Sequence, residues 1–97
     1  MSYRPLPYNL TIKESEIDGL GLFASMPIDK GTNLGISHVF TEDQLLRTPL
    51  GGFYNHSEDP NCYSDISDGF AHLITLRDLE RGDELTCFYS INPLKLP

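Results

Sequence analysis

Turn-forming residues cut this chain into short pieces, which leaves room for strands and tight turns but for no long helix. The strongest signals are Asp18-Gly19-Leu20-Gly21, Pro27 with Asp29-Lys30-Gly31, Pro49 with Gly51-Gly52, and a charged turn from Asp78 to Asp83 around Gly82. Between them, Leu10-Thr11-Ile12-Lys13 alternates apolar and polar residues, the pattern of a half-buried strand. Leu22-Phe23-Ala24 restarts an apolar run. Asn33 to Phe40 reads as a further strand, with Leu34, Ile36 and His38 facing one way. Phe70 to Leu76 is the next, and Glu84-Leu85-Thr86-Cys87-Phe88-Tyr89 the last, with Leu85, Cys87, Tyr89 and Ile91 sharing a face. Thr41-Glu42-Asp43-Gln44 predicts a helix start, Thr41 as N-cap and Gln44 at the capping-box position. Pro49, Gly51 and Gly52 would stop that helix after about two turns. Residues 1–8, with two prolines and two tyrosines, look like an arm. The expectation is a mostly-β domain with one or two short helical turns.

A chain of 97 residues fits one domain with a thin core, so help from a partner subunit is in keeping with its size. No run approaches the roughly 20 apolar residues of a membrane span. The start, Met1-Ser2-Tyr3-Arg4-Pro5, lacks the features of a signal peptide, and a cytoplasmic location is expected. Cys62 and Cys87 form neither a disulfide framework nor a Cys-x-x-Cys pair and read as small buried apolar residues. A net charge of −7 argues against nucleic-acid binding and suits a basic partner such as a lysine-rich peptide, although solubility alone accounts for it equally well.

Three segments suggest chemistry. Gly19-Leu20-Gly21, followed by Leu22-Phe23-Ala24, lacks the third glycine and the long helix of a dinucleotide fingerprint and is weak evidence alone. Asn55-His56-Ser57-Glu58-Asp59-Pro60-Asn61-Cys62 is dense in groups that bond a ligand or, equally, their own loop's backbone. Glu84-Leu85-Thr86-Cys87-Phe88-Tyr89 ends in an aromatic pair, and periodicity alone makes Tyr89 a core residue with a polar tip.

In this order the three segments resemble the SET domain family of protein-lysine methyltransferases, in a minimal form of viral or bacterial type. The turn at Ile28-Asp29-Lys30-Gly31-Thr32 and the approach Arg81-Gly82-Asp83-Glu84-Leu85 are similar too. The resemblance implies a SET-domain (β-clip-like) fold of small sheets with a knot-like C-terminal crossing. It implies an arm over residues 1–9, a minimal SET domain over 10–90 and a short tail over 91–97. It also implies S-adenosylmethionine as cofactor, S-adenosylhomocysteine as product, no metal, and a basic, lysine-containing protein as methyl acceptor. The backbone at Gly19, Leu20 and Gly21 would hold the cofactor's methionine end. Asn55 and His56 would contact its amino-acid and adenine groups, Phe53 would lend a backbone contact, and Tyr89 would be the catalytic tyrosine.

The sequence departs from the family where only Val39 to Leu50 fill the usual insert, and a second channel tyrosine has no counterpart. After the last strand only Ser90 to Pro97 follow, in place of a cysteine-rich zinc segment, with Ile91, Leu94 and Leu96 as candidate lids. A homodimer in which one subunit completes the other's groove would compensate. The location would be host cytoplasm or nucleus if the source is viral or eukaryotic. The main rival is a catalytically degenerate binding or regulatory module on the same fold. A metal site built from His38, His56, His72, Cys62 and Cys87 matches no common zinc spacing, and no nucleophile elbow surrounds Ser37 or Ser57. Arg81-Gly82-Asp83 is explained as a turn with no secretion signal to support adhesion, and Asn9-Leu10-Thr11 and Asn55-His56-Ser57 match glycosylation acceptors that carry no meaning in a cytosolic chain.

Overall fold

The computed structural model describes residues 6–88, and Tyr89 and the tail lie outside that span. Strands β1 (Leu10–Glu14) and β2 (Leu20–Ala24) pair antiparallel as a small hairpin. The main sheet takes six strands in the order β4-β3-β7-β6-β8-β5. These are β3 (Asn33–Phe40), β4 (Leu45–Arg47), β5 (Asn55–His56), β6 (Cys62–Ser67), β7 (Phe70–Thr75) and β8 (Thr86–Cys87). A 3-10 turn at Leu50–Gly52 is the helical element among the described residues. The mostly-β expectation, with small sheets and a short helical turn, matches this architecture.

Two expectations fail locally. The helix at Thr41 does not form: β3 and β4 pair antiparallel there, with Thr41 N–H donating to Gln44 O at 2.8 Å to close a hairpin. Thr41 Oγ1 still accepts the Gln44 N–H at 3.1 Å, the bond a capping box would make, so the motif is present but serves a turn. The Leu34/Ile36/His38 alternation is broken by irregularities between Asn33 and Gly35 and between Ile36 and His38, and the buried set becomes Leu34, Ser37 and His38. The strand β6 was not predicted; it pairs antiparallel with β7 through a turn at Asp68-Gly69. Both turn residues have positive φ, 52° and 83°, the conformation that right-twisted hairpins favour. Of the arm, Leu6 packs against the core, while Ser25 bonds Asn9 O through its N–H and Tyr8 O through its hydroxyl.

The core gathers apolar side chains from both sheets. Leu22, Leu73 and Leu85 are fully buried, joined by Leu10, Ile28, Leu34, Leu50, Tyr54 and Leu79. Cys62 and Cys87 lie among them as free thiols, as expected of small apolar residues. Burial pushes the Cys62 thiol up to about 12 and the Cys87 thiol up as well, which keeps both protonated. The two sheets are stitched by Leu85 N–H to Leu22 O at 2.7 Å and Ala24 N–H to Asp83 O at 2.9 Å. Ile28 and Leu79 exchange a reciprocal backbone pair at 2.9 and 2.8 Å. These links carry the glycine turn between β1 and β2 to the start of β8.

Candidate functional site

The site is built where the C-terminal strand passes through a loop. β8 lies between β5 and β6 and runs parallel to both, although residues 57–61 alone separate those two strands in sequence. Asn55 pairs with Thr86 and His56 with Cys87 on one side, and Cys62 pairs with Cys87 on the other. Threading of this kind is rare in proteins, and it is the knot-like crossing the resemblance implied. Strands of two residues offer too few ladder bonds to hold themselves, and side chains supply the rest. The Asn61 amide donates to Glu84 O at 2.8 Å and accepts Thr86 N–H at 2.8 Å, while Asn61 N–H donates to Thr86 Oγ1 at 3.2 Å. Asn61 thus acts as a piece of backbone placed beside β8.

Asn55 does for the glycine turn what Asn61 does for β8. It is buried, and its amide nitrogen lies 2.8 Å from Glu84 Oε2, 3.1 Å from Ser15 Oγ, 3.2 Å from Asp18 O and 3.5 Å from Leu20 O. Two N–H bonds are shared among these four acceptors. Ser15 Oγ donates to the Glu84 carboxylate, 2.8 and 2.7 Å from its two oxygens, and accepts Ile17 N–H at 2.9 Å. Ser15 N–H reaches Gly19 O at 2.8 Å and closes the turn. All three chemically suggestive segments therefore meet around one carboxylate. Gly21 is glycine for the same reason, because a Cβ there would run into the Glu84 carboxylate and lie 3.0 Å from Ser15 Cβ.

The two remaining turn residues face outward. Gly19 has φ 48° and nothing within 4 Å of where a Cβ would stand, and Leu20 is half exposed. Beside β5 the His56 ring lies 4.9 Å from the Phe88 ring, tilted, and Phe88 is exposed. Phe53 packs partly buried against the core at the end of the 3-10 turn, and Tyr54 beyond it is buried with its ring edge-on to His38 at 6.3 Å. An open cleft of about 360 Å³ adjoins the carboxylate, lined by Glu14, Glu16, Phe23, Gly82, Asp83 and Glu84.

Of the site residues expected from sequence, the structure brings Gly19, Leu20, Gly21 and Asn55 together and sets His56 next to Asn55 along β5. Phe53 stands on the core side of that strand, and Tyr89 is outside the described residues. Sequence reasoning passed over Ser15, gave no role to Glu84 within the last segment, although the two meet across 69 positions of chain, and missed the clamp from Asn61 to Thr86. No group of three His, Cys, Asp or Glu side chains suited to a metal occurs among the described residues. Nor is any helix among them long and apolar enough to cross a membrane.

A turn tied to an Asn-His strand beside a C-terminal strand set between β5 and β6 defines a class, the knotted β domains. The chain belongs to the SET domain family: the model of that family matches residues 36–90. The trithorax histone-lysine N-methyltransferase of Drosophila virilis is 43% identical over a stretch covering 48% of this chain and 1% of that protein. The histone-lysine N-methyltransferase Suv4-20 of Caenorhabditis briggsae is 44% identical over 40% of this chain and 12% of its own length. This chain thus spans a small fraction of the curated relatives it matches. Among solved structures, a Plasmodium falciparum protein assigned as a histone methyltransferase superposes with a TM-score of 0.73 at 22% identity, covering 93% of this chain and 100% of that one, a likeness of fold.

Proposed function

We propose that this chain is the methyl-transferring core of a protein-lysine methyltransferase that uses S-adenosylmethionine. The observation that carries the reading is Asn55, whose amide fastens the Gly19–Gly21 turn to the crossing and joins it to Glu84 at the head of the last segment. The residues fit the cofactor's parts. Beside Gly19 and Leu20 the surface is open, the Asp18 and Leu20 carbonyls and the Asn55 amide offer partners for an amino-acid end, and the tilted rings of His56 and Phe88 offer an aromatic face for an adenine. S-adenosylmethionine supplies an electrophilic methyl group when bound.

The chain's own contribution is placement and desolvation. An attacking lysine must be neutral, against an ordinary pKa of about 10.4, and a dry channel lowers that value. Holding the amine in line accounts for much of the acceleration. Tyr89, which follows Phe88, is assigned by resemblance to orienting that amine, and the acceptor is a basic, lysine-containing protein drawn by the net charge of −7. Isothermal titration with S-adenosylmethionine tests the pocket: the wild type binds and Asn55→Ala does not. Tyr89→Phe then separates enzyme from binding module, since it should keep affinity for the cofactor and lose most turnover on a lysine-rich protein. Absence of binding by the folded wild type would overturn the reading.

A further inference from the structure

We infer that Glu84, acting through Ser15 and Asn55, is a positioning residue that sets the site's selectivity for the amino-acid end of its ligand. The inference rests on the proposed S-adenosylmethionine reading and adds to it a role for Glu84, which the last segment contains but to which the sequence reading gave no role. A carboxylate only accepts hydrogen bonds, so the Asn55 amide must turn its NH₂ toward Glu84 Oε2, at 2.8 Å. The same NH₂ then serves Asp18 O and Leu20 O, and the Asn55 carbonyl oxygen is turned the opposite way. Glu84, the shortest and the charged one of these acceptors, anchors the NH₂ that the two carbonyls also require, so the end of the amide left for a ligand is an acceptor, which suits an ammonium group. Ser15 locks the arrangement: its one proton goes to Glu84 while its oxygen takes the Ile17 N–H. The close fit of the carboxylate against Gly21 leaves it little other place to go. With Glu84→Gln the charged acceptor is lost, and the Asn55 NH₂ is held toward the turn only by Ser15 Oγ and the Asp18 and Leu20 carbonyls, at 3.1 to 3.5 Å.

The test compares two probes on the full chain, S-adenosylmethionine and 5′-methylthioadenosine, which shares the adenosine and lacks the amino-acid end. A positioning role predicts that Glu84→Gln weakens S-adenosylmethionine about tenfold or more, the scale of one hydrogen bond to a charged group, and leaves 5′-methylthioadenosine nearly unchanged. Ser15→Ala, in the turn itself, should shift the same ratio in the same direction and decides the matter if Glu84→Gln does not fold. Equal weakening of both probes would mean that Glu84 only supports the fold, and unchanged binding of both would mean that it does nothing at the site; either overturns the inference while the cofactor reading stands. A folded wild type that binds no S-adenosylmethionine overturns both together.

Discussion

The crossing and the β3–β4–β6–β7 part of the sheet solve the same problem by different means. In the sheet, β3, β6 and β7 are strands of six and eight residues whose long pairings, two irregularities in β3 apart, let the backbone ladder satisfy most peptide groups whatever the side chains are. At the crossing, β5 and β8 have two residues each, and the amides of Asn55 and Asn61 replace the missing ladder. A ladder tolerates many sequences; a side-chain amide that must both donate and accept has no substitute among the apolar residues. Chemical identity is therefore concentrated where regular structure is shortest, and the proposed ligand site lies at that place.

The sharpest way to break the comparison is to remove a clamp from each region. Asn61→Ala strips the partners of Glu84 O and of the buried Thr86 N–H and should cost about 2–4 kcal/mol in urea unfolding, a large share of a small domain's stability. Thr41→Ala removes bonds of similar geometry from the exposed β3–β4 turn, where water takes them over, and should cost no more than about 1 kcal/mol. Equal costs would mean that the crossing is no more dependent on its amides than an ordinary hairpin. A smaller effect sharpens the other side. Gly69→Ala at the β6–β7 turn forces a side chain into φ 83° with its Cβ 3.3 Å from Phe40 O, and about 1 kcal/mol of lost stability is expected while cofactor binding is unaffected.

Legibility in the sequence follows the same division. β3 was readable to its bounds, from Asn33 to Phe40, and β1, β2 and β7 nearly so, because five or more residues are enough to show a period. The crossing was not: two residues have no period, and its place was implied only by the family resemblance of the Asn-His-Ser segment. The helix expected at Thr41 failed because the Thr41 to Gln44 bond is common to a helix cap and to this turn, and only pairing of Leu45 to Arg47 with β3 decides between them. β6 was missed although Asp68-Gly69 is a strong hairpin signal, since its exposed residues on both faces blur the alternation. Ser15 carries no local signature and Glu84 only its place at the head of the last segment, because their pairing arises when the chain folds back across 69 positions and closes the distance.

The last test uses a buried histidine of the sheet, where satisfaction depends on protonation and not on side-chain identity alone. His38 is buried, and its Nδ1 lies 2.9 Å from Ser37 Oγ, which donates to Ala71 O at 3.2 Å, so a neutral ring with its proton on Nδ1 satisfies both groups. Burial, and then the positive charge of Arg47 across the β3–β4 pair, hold its pKa below the ordinary 6.5. The unfolded chain consequently takes up the proton first as pH falls. Stability from the neutral ring is complete above about pH 6.5 and is lost on acidification toward the lowered native value, at no more than about 1.4 kcal/mol per pH unit. Urea midpoints measured from pH 7.5 downward should fall through that window. His38→Asn, which keeps a donor for Ser37 but cannot titrate, should flatten the curve there, and an unchanged slope would show that the sheet's acid sensitivity has another source. Arg47→Gln should lessen the fall by removing the second cause and leaving burial, the larger one, in place.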